Sequence, residues 1–185
     1  MSLIALDADG VLVNYNQAFG LQWERFFGVE LVVKEPKAYH ATTYWDIVNP
    51  DYDHPFWDHF DQHGWLNMPA MPGAVEACKR LVEAGHELVC VTSMPGHREL
   101  TRLQNLKNLG FPIHRVIATG SARNRGDNPK KEAIEALKPK WFVDDELRKL
   151  KELPEVNCVL VNPGHPDCPN VGQDKSYLAM EVSSL

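Results

Sequence analysis

Short runs of apolar residues alternate along the chain with segments in which apolar residues recur at helical spacing. The runs lack the apolar–polar alternation of a half-buried strand, as is typical of strands buried on both faces of a parallel sheet. Five strands are predicted: Leu3–Leu6, Leu88–Val91, Val116–Ala118, Trp141–Val143 and Cys158–Val161. Strands that alternate with helices favour an α/β fold with helices on both faces of the sheet. The pattern therefore predicts an α/β, doubly wound parallel sheet of about five strands.

The segments between these strands carry the apolar spacing of helices. Four helices are predicted, around Ala74–Leu81, Leu100–Leu109, Ala133–Leu137 and Leu147–Leu153. Gly85 follows the first of them, where a glycine can end a helix in the left-handed conformation. Each helix joins two predicted strands, so right-handed crossover connections are expected.

Residues 14–70 interrupt this alternation, because they follow the first predicted strand and contain no convincing strand of their own. Four aromatic residues at helical spacing predict an amphipathic helix at the start of the segment: Tyr15, Phe19, Trp23 and Phe26. The segment holds 13 of the 17 aromatic residues of the chain, and eight acidic residues against three basic ones. We interpret it as a small helical cap inserted after strand 1, with residues 1–13 and 71–185 forming the α/β core domain. Ligands of open α/β sheets bind beyond the carboxyl ends of the strands, where such a cap would lie.

Composition and charge exclude several classes of function. Of the 185 residues, 44% are hydrophobic and 24% are charged, which is typical of a globular domain with a buried core. The net charge of −6 leaves no basic surface for a nucleic acid polymer. The apolar runs are too short to span a bilayer, and the N-terminus lacks the basic region of a signal peptide. The four cysteines fit no dense disulfide framework. We therefore expect a cytoplasmic protein with free thiols and no membrane partner. The sequence does not indicate an oligomeric state.

Two acidic residues, Asp7 and Asp9, stand directly after the first predicted strand and before Gly10. Side chains alternate along an extended chain, so the two carboxylates can face the same way, and the glycine permits a sharp turn. The pair is either a nucleophile with an acid/base group or a solvated turn. A calcium loop is disfavoured, because Val11 occupies the position of its third oxygen ligand.

Hydroxyl and lysine side chains begin two later elements. Thr92 and Ser93 follow the second predicted strand, where a hydroxyl can bind an anionic oxygen or cap the next helix. Lys130 and Lys131 open a helix, where positive charge opposes the helix dipole. The lysines therefore indicate either a bound phosphate or a solvated pair.

An acidic pair, Asp144 and Asp145, ends the fourth predicted strand. Together with Asp7 and Asp9, these residues would form an oxygen-rich site suited to Mg²⁺ at one edge of the sheet. The alternative role of Asp145 is to cap the following helix.

The four motifs stand in a fixed order at the ends of separate predicted elements, and this order resembles the haloacid dehalogenase superfamily. Its D-x-D-G motif is similar to Asp7–Gly10, and its hydroxyl motif to Thr92. Its lysine motif is similar to Lys130 or Lys131, and its acidic motif to Asp144–Asp145. The resemblance covers nearly the whole chain and implies a Rossmann-like core with a C1-type cap in the position of the insert.

Within this superfamily, an acid two residues after the nucleophile marks phosphatases and phosphomutases. The resemblance therefore implies that Asp7 attacks phosphorus to form an aspartyl-phosphate, while Asp9 serves as general acid and base. Thr92 and one of the two lysines would hold the phosphoryl oxygens. Mg²⁺ would be bound by Asp7, by the backbone carbonyl of Asp9 and by the acidic pair that begins at Asp144.

These implications predict a Mg²⁺-dependent phosphomonoester hydrolase whose partner is a small-molecule phosphate monoester. Two alternatives stay open: a phosphotransferase or mutase of the same superfamily, and a non-catalytic phospho-binding α/β domain. A receiver-like domain of the second kind carries its metal-binding acids on the first strand and its phosphorylated aspartate on a later one. Here Asp7 and Asp9 share the first strand and an acidic pair closes a late strand, which disfavours that alternative.

The substrate class rests on a narrower resemblance. The runs Met68–Ala74 and Thr92–Pro95 are similar to the 5'(3')-deoxyribonucleotidase branch of the superfamily, in which cap aromatics pack on a nucleobase. A 5'-(deoxy)nucleoside monophosphate is therefore a candidate substrate, with Ser93 as a further binding residue. Five cap aromatics are candidates for stacking on a base: Phe19, Trp23, Trp45, Trp57 and Trp65. The alternative is that they form the core of the cap, because aromatic side chains fill small cores efficiently.

Overall fold

The computed structural model describes residues 1–120, 128–153, 155–162 and 164–185, and its centre is a six-stranded sheet. The strands are β1 (Leu3–Leu6), β2 (Glu87–Thr92), β3 (Val116–Ala118), β4 (Trp141–Asp144), β5 (Asn157–Val161) and β6 (Met180–Val182). Their order across the sheet is β3-β2-β1-β4-β5-β6, and all five pairings are parallel. The predicted α/β doubly wound fold is confirmed.

The sheet has one strand more than the predicted number of about five. The additional strand, β6, pairs with β5 at the edge of the sheet, where Val161 is level with Val182. Met180 and Glu181 are exposed, so β6 has no run of buried apolar residues from which the sequence pattern could predict it.

Alternate residues of the strands belong to two separate hydrophobic clusters, one on each face of the sheet. Leu6 and Cys90 pack in the cluster that continues into the insert, whereas Ala5, Val89 and Phe142 pack in the other cluster. Both faces of the central strands are therefore buried, which accounts for the absence of apolar–polar alternation in the sequence.

The insert contains α1 (Tyr15–Phe27), α2 (Ala41–Trp45) and α3 (Pro55–His63), and the later helices are α4 (Ala74–Glu83), α5 (Glu99–Asn108) and α6 (Lys131–Leu137). Short 3₁₀ helices lie at Trp65–Asn67, Gly96–Arg98 and Leu147–Leu150. The predicted helix through Leu153 is wrong, because this segment forms only the last of these short turns. Leu147 and Leu150 are buried, but Lys151 is already extended, with a φ of −74° and a ψ of 151°, so the turn ends at Leu150. Glu152 follows with a left-handed backbone and a φ of 58°.

The insert leaves and rejoins the core at neighbouring points. Val13 and Ala70 form an antiparallel bridge, and Asn14 N donates to Pro69 O at 2.8 Å. The side chain of Asn14 also accepts from Gln17 N, which caps the start of α1. Backbone pairing therefore fixes both ends of the insert beside each other.

Aromatic side chains fill the space between α1 and α3. Phe56 and Phe60 are fully buried, and the ring centroid of Phe19 lies 5.1 Å from that of Phe56. The same cluster continues to Leu12 and Cys90, so the insert packs directly on one face of the sheet. In the part of the chain that the structure describes, every helix is too short or too polar for a membrane span.

Candidate active site

A cavity of about 390 Å³ lies where β1, β2 and β4 end. Asp7, Thr92 and Asp144 line it from the sheet. Residues 36–41 and Tyr44 line it from the insert. The cavity is therefore in the position where open α/β sheets bind ligands, and the insert forms part of its wall.

Lys130 joins two of the carboxylates in this cavity. Its ammonium group lies 2.5 Å from Asp7 Oδ1 and 2.6 Å from Asp144 Oδ2, and 1% of its side chain is exposed. Desolvation acts to lower the pKa of Lys130, but the charges of Asp144 and Asp7 outweigh it and raise the pKa above its usual value. The lysine is therefore a stable cation between the ends of β1 and β4.

The neighbouring Lys131 is not part of the cavity. Its ammonium donates to Glu152 Oε2 at 2.8 Å on the surface. Successive residues of a helix point about 100° apart, so only one of the two lysines can face the strand ends. Asn128 fixes the orientation, because its Oδ1 accepts from Lys130 N at 3.0 Å and its Nδ2 donates to Lys149 O at 2.7 Å. Of the two predicted lysines, the structure brings only Lys130 to the site.

Three carboxylates of the cavity are suitably placed to hold a divalent cation. Asp7, Asp144 and Asp145 each offer one oxygen, and these atoms lie within 4.8 Å of one another. Gly10 has a φ of 81°, and a Cβ at this position would collide with the carboxylate of Asp145. Carboxylate oxygens are the ligands that Mg²⁺ prefers. The residues present therefore fit the ion that the resemblance implies.

The pKa values of the acidic pair reflect the crowding of these carboxylates. Desolvation raises the pKa of Asp144 to about 7, with Lys130 opposing the shift and Asp7 adding to it. Desolvation and the charges of Asp7 and Asp144 also raise the pKa of Asp145. A divalent cation among these groups would favour their ionised forms. The electrostatics of the site therefore favour cation binding.

The carboxylate of Asp9 does not join this group, because it turns towards α5. Arg102 Nη2 donates to Asp9 Oδ1 at 2.7 Å. Desolvation raises the pKa of Asp9, and the charge of Arg102 opposes that shift. The acid that the motif places two residues after Asp7 is therefore separate from the candidate metal ligands.

No sequence motif predicts Arg102, although its side chain is fully buried. Its Nη1 donates to Asn105 Oδ1 at 3.1 Å and contacts Met68 Sδ at 3.2 Å, while its Nε has no partner among the described residues. Asn105 donates in turn to the backbone oxygens of Leu66 and Met68, both at 2.9 Å. The signal available in the sequence is spacing, because Arg102 and Asn105 share a helix face with Leu106, which is buried.

Thr92 and Ser93 both line the cavity at the end of β2. Thr92 is almost fully buried, and Ser93 Oγ accepts from Lys149 Nζ at 3.3 Å. Lys149 also lines the cavity, and no sequence motif predicts it. It lies in the 3₁₀ turn Leu147–Leu150 that replaces the predicted helix after the acidic pair.

The structure does not bring the five predicted cap aromatics to the cavity. They pack inside the insert instead: Phe19, Trp23, Trp45, Trp57 and Trp65. The aromatic residues that line the cavity are Tyr15, Tyr39 and Tyr44. Large apolar rings gain most from burial against one another, whereas a phenol keeps a polar end that favours a wet surface. The insert therefore holds its tryptophans in its core and presents tyrosines to the cavity.

The amino-terminal part of the chain matches a known family. The family described as "5' nucleotidase, deoxy (Pyrimidine), cytosolic type C protein" matches residues 1–108, which is more than half of the 185 residues. The chain belongs to this nucleotidase family. The matched residues 1–108 include Asp7, Asp9 and Thr92, whereas Lys130 and Asp144 lie beyond them in the chain.

A curated relative agrees with this assignment. The Oceanobacillus iheyensis protein named "Putative nucleotidase OB0422" is 31% identical over 105 residues, which are 56% of this chain and 54% of that protein. The match thus spans about half the length of that relative.

Two solved structures, one of them a HAD family hydrolase, have the same fold. CbbY from Rhodobacter sphaeroides, in complex with phosphate, has a TM-score of 0.57 at 14% identity, covering 100% of this chain and 95% of that one. A HAD family hydrolase from Deinococcus radiodurans, with bound phosphate and sodium, has a TM-score of 0.54 at 18% identity, covering 100% and 91%. The expected membership of the haloacid dehalogenase superfamily is confirmed, and the family match agrees with the expected class of phosphatases.

Proposed function

We propose that the chain is a Mg²⁺-dependent phosphomonoester hydrolase that acts through an aspartyl-phosphate on a small phosphorylated metabolite. The observation that carries this proposal is the position of Lys130, 2.5 Å from Asp7 and 2.6 Å from Asp144, with Asp145 in the same carboxylate group. This arrangement offers a nucleophile, a cation and metal ligands at one cavity. Membership of a nucleotidase family supports the same activity.

In this proposal Asp7, Asp144 and Asp145 would hold Mg²⁺ together with the backbone carbonyl of Asp9. When bound, the ion would withdraw charge from the phosphoryl oxygens and neutralise the crowded carboxylates. Lys130 orients Asp7 through its hydrogen bond, so the nucleophile keeps a fixed direction relative to the acidic pair.

The proposed reaction has two steps. In the first, a carboxylate oxygen of Asp7 bonds to phosphorus, the bond from phosphorus to the ester oxygen breaks, and Asp9 gives its proton to that oxygen. In the second, Asp9 takes a proton from water, the resulting hydroxide attacks phosphorus, and the bond to Asp7 breaks to release phosphate. Thr92 and Lys130 would hold the peripheral phosphoryl oxygens in both steps.

We further propose 5'-(deoxy)nucleoside monophosphates as the substrate class, with residues 14–70 acting as a cap over the cavity. A volume of about 390 Å³ lies within the range of pockets for small molecules. Tyr39 and Tyr44 of the insert line this cavity and would pack on the base or the sugar. The acidic character of the insert disfavours substrates that carry several phosphates.

The test is a screen for phosphate release in the presence of Mg²⁺ over nucleotides, sugar phosphates and p-nitrophenyl phosphate. It compares the wild type with Asp7→Asn and with Asp174→Asn, a matched change at an exposed aspartate. We expect Asp7→Asn to lose turnover, because an amide cannot attack phosphorus, and Asp174→Asn to keep it.

Two outcomes of this screen contradict parts of the proposal. EDTA-sensitive turnover by Asp7→Asn above a trace would show that another residue is the nucleophile. Transfer of the phosphoryl group to an added alcohol, in place of phosphate release, would identify a phosphotransferase.

A further inference from the structure

Lys149 is a buried cation in the cavity that the proposed reaction does not use. It lies in the 3₁₀ turn Leu147–Leu150 after β4, and it is 5% exposed. Its backbone oxygen accepts from Asn128 Nδ2 at 2.7 Å, so the same asparagine orients both Lys149 and Lys130. The position of this lysine at the cavity is therefore fixed by the fold.

The partners of the Lys149 ammonium are unusually distant for a buried charge. Its Nζ lies 3.3 Å from Ser93 Oγ and 3.7 Å from Glu146 Oε2. The carboxylate of Glu146 is shared, because its Oε1 accepts from Arg148 Nε at 2.7 Å. Desolvation lowers the pKa of Lys149, which agrees with a charge that its surroundings balance only in part. A buried charge normally requires close, well-aligned partners.

Two other cations that contact the motif side chains, Lys130 and Arg102, are engaged by carboxylates. Lys130 is within 2.6 Å of both Asp7 and Asp144, and Arg102 is 2.7 Å from Asp9. A phosphate monoester brings two negative charges and three peripheral oxygens into the same cavity. Of these three cations, Lys149 has the most distant partners.

We propose that Lys149, together with Ser93, binds a peripheral phosphoryl oxygen of the substrate as a second phosphate-binding lysine beside Lys130. The inference rests on the proposed phosphatase function and adds a residue to its binding site. Lys149 lies outside the part of the chain that matches the family, residues 1–108. Its burial and its contact with Ser93 in this cavity support the role.

The test compares Lys149→Met and Lys149→Arg with Lys151→Met. Lys151 is a matched control, because its ammonium donates to Gln173 Oε1 at 3.1 Å on the surface and does not line the cavity. Steady-state kinetics with p-nitrophenyl phosphate give KM and kcat, and inorganic phosphate serves as a competitive inhibitor. Loss of one charged hydrogen bond should raise KM and the inhibition constant of phosphate about 10- to 100-fold in Lys149→Met. Lys149→Arg should lie closer to the wild type, and Lys151→Met should match it.

A structural role of Lys149 would give a different result. In that case Lys149→Met would lower the unfolding midpoint while KM and the inhibition constant of phosphate stayed within about twofold of the wild type, and the inference would be overturned. Calorimetric titration of phosphate into Asp7→Asn, with and without Lys149→Met, measures the same contact without turnover. If the wild type is active and phosphate binds equally to Asp7→Asn with and without Lys149→Met, the role of Lys149 is rejected while the proposed function stands. A wild type that neither binds phosphate nor releases it rejects the proposed function and this inference together.

Discussion

Arg102 donates from Nη2 to Oδ1 of Asp9 across 2.7 Å, and its guanidinium is fully buried. The same guanidinium donates a hydrogen bond to Asn105 Oδ1, and Asn105 Nδ2 donates to the backbone oxygens of Leu66 and Met68. Leu66 and Met68 lie near the point where the insert returns to the core. The orientation of the proposed acid/base group therefore depends on α5 and on the end of the insert, and not only on the turn that contains Asp9.

Replacement of Arg102 by Met should remove the hydrogen bonds that join Asp9 to Asn105. The loss in free energy of unfolding should lie near the lower end of the range for a broken buried ion pair, about 3–5 kcal/mol, because Asp9 is partly open to the cavity. A misplaced Asp9 should slow alkyl phosphates more than p-nitrophenyl phosphate, since a poor leaving group needs its proton more. Urea unfolding and kcat for the two substrates measure these effects. Lys107→Met, on the exposed side of α5, is the control, and equal slowing of both substrates would contradict a role of Arg102 in positioning Asp9.

Lys130→Met should have a larger effect on both stability and activity. The change leaves Asp7 and Asp144 as neighbouring buried acids without their shared cation, so the free energy of unfolding should fall by about 3–5 kcal/mol. Added Mg²⁺ should restore part of this loss, and kcat should fall by about 100-fold or more. Lys131→Met removes only a surface pair with Glu152, so the free energy of unfolding should stay close to that of the wild type. Urea unfolding with and without Mg²⁺ and phosphate release measure both variants, and similar losses in the two would contradict the assignment of Lys130.

The ends of the buried strands are the part of the site that the sequence predicts well. Asp7, Thr92 and Asp144 each follow or end a run of buried apolar residues, and parallel pairing brings the ends of β1, β2 and β4 to one edge. Burial on both faces leaves an uninterrupted apolar run, so the sequence predicts both the strand and the polar residue at its end.

Other parts of the site depend on contacts that local spacing does not specify. The choice of Lys130 over Lys131 follows from how Asn128 holds the start of α6. Arg102 and Asp9 are 93 residues apart in the chain, and Lys149 and Ser93 are 56 apart. These pairs form only when helices and turns are packed on the sheet, so the local pattern of neighbouring residues does not predict them.

The division between core and cavity aromatics gives a third prediction. Phe19→Ala should lower the free energy of unfolding by about 3–5 kcal/mol, because Phe19 packs against Trp23 and Phe56 with centroids 5.7 and 5.1 Å away. The ratio of kcat/KM among nucleoside monophosphates should stay unchanged. Tyr44→Ala, at the cavity wall, should instead alter that ratio with a smaller loss of stability. Altered selectivity in Phe19→Ala alone would favour base stacking on the predicted cap aromatics.

Asp167 connects the C-terminal region to the wall of the cavity. Its Oδ1 accepts from Tyr39 N at 2.9 Å and its Oδ2 accepts from His40 N at 3.1 Å, while His165 Nδ1 lies 2.5 Å away. Desolvation acts to raise the pKa of Asp167, but these hydrogen bonds outweigh it and hold the pKa at about 2, below the usual 3.8. The ionised form of Asp167 therefore stabilises the segment that carries Tyr39.

Asp167→Asn should remove a contribution to stability that depends on pH. Because the pKa of Asp167 is lower in the folded chain, this contribution is complete above about pH 4 and is lost as the pH falls towards 2. The difference in unfolding free energy between the wild type and Asp167→Asn should therefore be constant from pH 5 to 7, a range that lies about one pH unit or more above the usual pKa of 3.8. It should shrink below about pH 4. Urea unfolding across this range measures it, with the exposed Asp53→Asn as the control. A difference that stays constant down to the lowest accessible pH would show that the carboxylate of Asp167 does not act through its charge.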